Sequence, residues 1–238
     1  MQNIKLSKVV GVLLLLQMAG GIFLNFSFLT IFKTDIFTVQ HDDLKLALGV
    51  ATILALGLSG INVLVAAIAS QRFRHSNAVL CLLLVVFAAS GLLATGFEYA
   101  DLANYTAFIH DIRAQGLQEL SPLHELMRLQ VISTRNESHH LALFLSSLSL
   151  LLFYVVLYRT THIAKLLLAF AIMACSLQLI ALGNTFFQGQ VIAAIQLPLF
   201  VTQLVMPIYF ITVGFRAKAS VAEVSDAGTA TQNKAAGA

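Results

Sequence analysis

Six stretches of about 20 mostly apolar residues, the length needed to cross a bilayer, constrain this chain more than any other feature. They fall near 9–32, 46–70, 77–97, 141–158, 163–183 and 191–214, and none carries Asp, Glu, Lys or Arg in its interior. The chain is 58% hydrophobic and 11% charged, whereas a soluble domain carries about 25% charged residues. So little charge cannot cover a water-facing surface. Hydrocarbon is therefore the expected solvent, and a backbone in hydrocarbon must satisfy its own hydrogen bonds, which selects helices. The expected fold class is all-α: a polytopic transmembrane bundle of six helices.

The first stretch begins like a secretory leader, with Lys5 and Lys8 before an apolar run through Met18-Ala19-Gly20. It continues through Phe23, Leu24, Phe26 and Phe28 to Ile31, too long for the apolar region of a leader, so it reads as a retained span. Cys81 and Cys175 both lie inside apolar stretches, which argues against a disulfide framework.

Orientation follows from the excess of basic residues in cytoplasmic segments. With the N-terminus inside, the cytoplasmic segments hold nine of the 14 basic residues and only two of the 11 acidic ones, Glu223 and Asp226. Lys5, Lys8, Arg72, Arg74, Arg159 and Lys165 are among those nine. The expected topology is N-in and C-in, with the other five basic and nine acidic residues outside. The one long outer segment, 98–140, is expected to be a loop with short amphipathic helices near 102–115 and 122–133. Ser121-Pro122 supplies a helix start, Ser as N-cap and Pro in the first turn. The tail from 217 to 238 is rich in Ala, Ser, Thr and Gly and is expected to be disordered.

Part of the chain resembles a known family. The run Leu151-Leu152-Phe153-Tyr154-Val155-Val156-Leu157-Tyr158-Arg159-Thr160, then Ile163-Ala164-Lys165-Leu166-Leu167, is similar to one helix end, basic turn and following helix of that family. The closing Gln203-Leu204-Val205-Met206-Pro207-Ile208-Tyr209, running to Gly214-Phe215, is similar to its terminal span. On these motifs the region 139–215 resembles the bacterial membrane proteins catalogued as domain of unknown function 4386, and Asp43 to Gly49 fits more loosely. The third span departs, because the family carries an Arg and an acidic residue where 84–94 has neither. The resemblance implies about six helices in the bacterial cytoplasmic (inner) membrane and brings no activity or catalytic residues with it.

Polar residues within spans usually face other helices or a wet cavity, and helical spacing shows which share a face. Gln17, Gly21 and Asn25 form one line; Thr52, Ala55, Ser59 and Asn62 a second; Ser90, Ala94, Glu98 and Asp101 a third. The later spans give His139, Ala142, Ser146 and Ser149, then Ala171, Ala174 and Gln178, then Gln196 and Gln203. These stripes read either as packing seams or as the lining of a ligand pocket. Taken with the topology, Asn25, Thr52, Glu98, Ser146, Gln178 and Gln196 are expected at similar depth in the outer half, around a shallow outward-facing pocket for a small or lipid-like ligand. Pro198 and Pro207 are expected to bend or loosen the last span.

Five of the seven His residues fall outside on this topology: His41, His110, His124, His139 and His140. His and carboxylate are zinc-type ligands, so Asp101, His110, His124 and His139, with Glu98, are the candidates for a divalent metal in an outward-facing hydrolase. No His-Glu-x-x-His is present, and no two His lie four apart. Of the His139-His140 pair, spacing turns His139 toward the stripe. No cofactor is predicted, and the Ser residues within spans lack a nucleophile elbow. Arg72-Phe73-Arg74-His75 sits between two spans as a topology determinant for anionic lipid, so membrane lipids are expected partners and nucleic acid is not. The leading function is non-enzymatic binding or carriage of a ligand, or an accessory membrane subunit.

Overall fold

The apolar runs become helices because an intrahelical ladder is the only local way to satisfy every amide without water. The computed structural model describes residues 2–33, 37, 41–117, 119–187 and 189–214. Six helices follow in order: α1 (Gln2–Phe23), α2 (His41–Phe73), α3 (Ala78–Ala114), α4 (Pro122–Thr160), α5 (Lys165–Gly183) and α6 (Leu197–Thr212). Among the described residues there are six helical segments long and apolar enough to cross a membrane, and no strand. The tail expected to be disordered, 217–238, lies outside the described residues.

Each helix packs on its neighbours in the chain, and α1 closes the circuit against α6. Short connections between antiparallel neighbours dictate this up-and-down order. The closing contact is tight: a Cβ on Gly11 of α1 would stand 2.7 Å from the Pro207 carbonyl oxygen of α6. Ser7 adds a buried hydrogen bond across the same seam, its Oγ donating to the Phe210 carbonyl at 2.7 Å. Where hydrocarbon offers no hydrophobic drive between helices, such close packing and hydrogen bonding hold them together.

The segment 98–140 corrects the expectation of a loop with two short helices. It is the continuation of α3 and α4, 37 and 39 residues long, joined only by residues 115–121. At 1.5 Å per residue these helices run about 55 Å and about 58 Å, well past a hydrocarbon thickness of about 30 Å. Charge ends a hydropathy window but does not end a helix. After Gly96, α3 contains no Gly or Pro, and α4 has none after Pro122. The expected start of the second segment is as read: Ser121 caps α4, its Oγ accepting from the His124 amide at 3.3 Å, with Pro122 in the first turn. Gly116 takes φ +68° in the connecting turn, the left-handed conformation glycine adopts without steric cost.

Two further details differ from expectation. α1 does not run straight to residue 32 but passes into a π-helical turn, Leu24–Phe28. The last span starts with a 3-10 turn, Ala193–Gln196, so Pro198 stands in the first turn of α6 and bends nothing. Its missing amide would have had no helical acceptor there. Pro207 alone interrupts the α6 ladder, leaving the Gln203 carbonyl without its helical donor.

The apolar residues form two separate cores. One joins Val10 and Leu14 of α1, Val65 and Phe73 of α2, Leu84 and Ala88 of α3, Phe153 and Leu157 of α4, and much of α5 and α6. The second, toward the α3–α4 turn, joins Leu24 and Leu29 to Leu44, Ala51 and Ala55 of α2 and Tyr99, Leu102 and Ile109 of α3. Part of each stripe falls in the gap between the two cores, namely Gln17 of α1, Ser59 and Asn62 of α2, and Ser90, Ala94 and Glu98 of α3, and that gap is where the site forms.

Candidate functional site

Nine polar side chains, at least one from every helix, line a cavity of about 240 Å³ between the two cores. They are Gln17 of α1, Ser59 and Asn62 of α2, Thr95 and Glu98 of α3, Ser146 and Ser147 of α4, Gln178 of α5 and Gln203 of α6. The stripes therefore converge, as a closed ring of helices with inward small or polar faces must. At liquid density that volume is roughly eight waters, or one small molecule.

The hydroxyls and amides of this cavity differ in how they are satisfied. Thr95 Oγ1 donates to the Gly91 carbonyl at 2.9 Å, so its single proton is committed. Ser59 Oγ, 2.9 Å from Thr95 Oγ1, must then be the donor of that contact, which leaves its lone pairs available. Asn62 and Gln178 are only 7% and 8% exposed, yet neither side chain hydrogen-bonds another described residue. Both side chains reach the cavity, and neither is among the described side chains with a sealed, unpartnered polar atom, so the cavity contents supply their hydrogen-bond partners.

Glu98, 5% exposed, stands at the boundary between this cavity and a second. Its Oε1 accepts from Arg135 Nη2 at 2.7 Å and from His139 Nδ1 at 2.8 Å, both across the α3–α4 seam. One turn on, Asp101 Oδ2 accepts from Ser138 Oγ at 2.6 Å. Residues 135, 138, 139, 142 and 146 share one face of α4 by i, i+3, i+4 spacing, and residues 98 and 101 face them from α3. The seam is narrow below Glu98, where a Cβ on Gly91 would come within 2.7 Å of Ser146 Oγ.

The second cavity, about 450 Å³, lies on the Arg135 side. Arg128, Arg135, Asn136 and His139 of α4, Tyr105 of α3, and Asn25 form its polar wall; Leu29, Phe32, Leu102 and Ile132 form the apolar one. Arg128 is held by Glu125, with Nε to Oε2 at 2.9 Å and Nη2 to Oε1 at 2.6 Å.

Of the six pocket residues expected at similar depth, Glu98, Ser146 and Gln178 meet in the first cavity. Asn25 lines the second instead, with its Nδ2 donating to the Gly21 carbonyl at 2.9 Å. Thr52 and Gln196 line neither; Thr52 Oγ1 donates to the Leu48 carbonyl of its own helix at 2.7 Å. The first cavity thus sits deeper than expected, at the level of Asn62 and Gln203, residues already on the stripes but set aside by the depth argument. Arg135 was missed as an ordinary surface charge, although it lies one turn from His139.

The metal candidates are dispersed. His139 pairs with Glu98 and Asp101 with Ser138, whereas His110 Nδ1 lies 3.4 Å from its neighbour Asp111 and His124 Nδ1 lies 3.1 Å from Ser121 Oγ. Among the described residues no three His, Cys, Asp or Glu side chains gather as a metal ion would require. Cys81 and Cys175 are free and buried. In comparisons with known proteins, no family model, curated protein or solved structure is detectably similar to this chain.

Proposed function

We propose that this chain is a non-enzymatic multi-pass protein of a bacterial cytoplasmic membrane that binds or carries a small ligand in the amide-lined cavity between its two apolar cores. One observation carries the reading: Asn62 and Gln178 line this cavity while more than nine-tenths buried and without partners among the described residues. Packing seams alone would have brought these amides against a neighbouring backbone or hydroxyl. The ligand should offer both hydrogen-bond donors and acceptors, because each amide does so, and Glu98 adds a charge at the rim.

The proposed orientation puts both termini in the cytoplasm and the α3–α4 turn outside. It is supported by Arg72 and Arg74 beside the α2–α3 turn, and by Arg159 and Lys165 beside the α4–α5 turn. Lys165 also serves locally, donating to the Tyr158 carbonyl at the end of α4 and lying over the Tyr158 ring at 4.1 Å.

The test is ligand retention. Wild type and the Asn62→Leu/Gln178→Met double variant are purified identically, and their small-molecule extracts compared by mass spectrometry. A species enriched with wild type and lost from the variant is expected. Matching extracts from the two proteins would remove the basis for this reading.

A further inference from the structure

We propose that the second cavity is a separate anion site, taking the phosphate or carboxylate headgroup of an amphiphile whose chain lies against Leu29, Phe32 and Ile132. Three observations carry this. First, the cavity wall holds two Arg and one His, while its described lining includes no carboxylate. Glu98 and Glu125 pair with Arg135 and Arg128 without themselves lining the space.

Second, Arg135 is not fully used. Its Nη2 goes to Glu98 and its Nη1 to Asn136 Oδ1 at 3.3 Å, but its Nε is buried with no acceptor. A guanidinium presents five donors in a rigid fork suited to planar or tetrahedral oxyanions; Nε is closed off from the cavity, so an arriving oxyanion meets the Nη hydrogens that Glu98 and Asn136 leave unused.

Third, the lining divides chemically into the cations Arg128 and Arg135 and the apolar side chains of Leu29, Phe32, Leu102 and Ile132. That division suits an amphiphile better than a fully hydrated ion. The same end of α4 exposes Leu123, Leu126, Met127 and Leu129, a surface at home among headgroups and upper acyl chains.

This site is independent of the amide cavity: Arg128, Arg135 and His139 line only the second, and Asn62 and Gln178 only the first. The two proposals can therefore fail separately.

The experiment uses full-length protein in detergent, followed by native mass spectrometry and thermal unfolding. Three additions are compared: dioleoylphosphatidylglycerol, dioleoylphosphatidylcholine and inorganic phosphate. Preferential retention of phosphatidylglycerol is expected, weakened about tenfold in Arg135→Gln, the loss of one charge-assisted hydrogen bond. Ile132→Trp, which fills the cavity and keeps every charge, should lose the lipid as well. It guards against reading a misfolded Arg135→Gln as lost binding. Stabilisation by inorganic phosphate without preference for the anionic lipid would keep the oxyanion site and assign it to a free ion. Equal retention of both lipids with no phosphate effect, or retention that survives both variants, would overturn the proposal.

Discussion

Glu98 of α3 and Arg135 of α4 meet at 2.7 Å on the boundary between two cavities, and the carboxylate also holds His139 at 2.8 Å. One nearly buried carboxylate thus fixes two donors on the facing helix, near the tight approach of Gly91 to Ser146. Glu98→Gln should destabilise the protein by about 1–3 kcal/mol. Breaking a fully buried pair costs about 3–5 kcal/mol, and the estimate is reduced because Arg135 retains 22% side-chain exposure. Thermal unfolding in detergent measures the effect. The Glu98→Gln/Arg135→Gln double variant should recover part of it, since no unpaired charge then remains. A double variant as unstable as the sum of the two single ones would mean that the pair does not couple.

The amides of the first cavity should behave in the opposite way. Asn62→Leu and Gln178→Met replace an unpartnered polar group by an apolar group of similar volume. Each should raise stability by about 1 kcal/mol, because an apolar side chain replaces an amide that has no hydrogen bond within the protein to lose, while ligand retention falls. Groups held for function are commonly suboptimal for stability in this sense. If both substitutions instead destabilise the protein, the amides serve the fold and the cavity is incidental to it.

What could be read in advance divides along a physical line. Apolar length located all six helices, because solvent selects it directly. Helical spacing also found the faces of Gln17, Asn62, Glu98, Ser146 and Gln203, because a ring of helices turns its polar stripes inward, but it passed over Thr95. Depth was not legible. Thr52 and Asn25 appeared level with Gln178, but the π-helical turn at Leu24–Phe28 and the 33-residue length of α2 carry them toward the second core or second cavity. Arg135 was hidden for another reason: a charge next to a hydropathy boundary looks like loop until the helix is known to continue. The absence of any breaker between Pro122 and Thr160 was the available signal.

The Gly91 contact tests whether α3 and α4 must approach this closely. Gly91→Ala places a methyl group 2.7 Å from Ser146 Oγ and 3.3 Å from its backbone nitrogen, a clash that the hydroxyl can relieve only in part by rotating. Overpacking of this kind costs about 1–3 kcal/mol. Ser146→Ala in the same chain removes the nearer contact and should restore part of the loss, measured again by thermal unfolding. Absence of rescue would place the strain in the backbone approach rather than at the hydroxyl.

The proposed orientation rests on the segregation of charge between the two ends of the bundle. It predicts a specific labelling pattern, because Cys81 and Cys175 are completely buried and give a quiet background for introduced thiols. Ser76 in the α2–α3 turn and Glu119 in the α3–α4 turn are both exposed positions at opposite ends of α3. In right-side-out membrane vesicles, Glu119→Cys should react with a membrane-impermeant maleimide, and Ser76→Cys only after permeabilisation. Arg72 and Arg74 precede Ser76 by four and two residues, and basic residues resist translocation whereas Asp and Glu contribute little to orientation. Substituting both arginines by Gln should therefore increase the fraction in which Ser76→Cys labels from outside. The reverse pattern in the otherwise wild-type chain would invert the topology and place the two-arginine cavity on the cytoplasmic side.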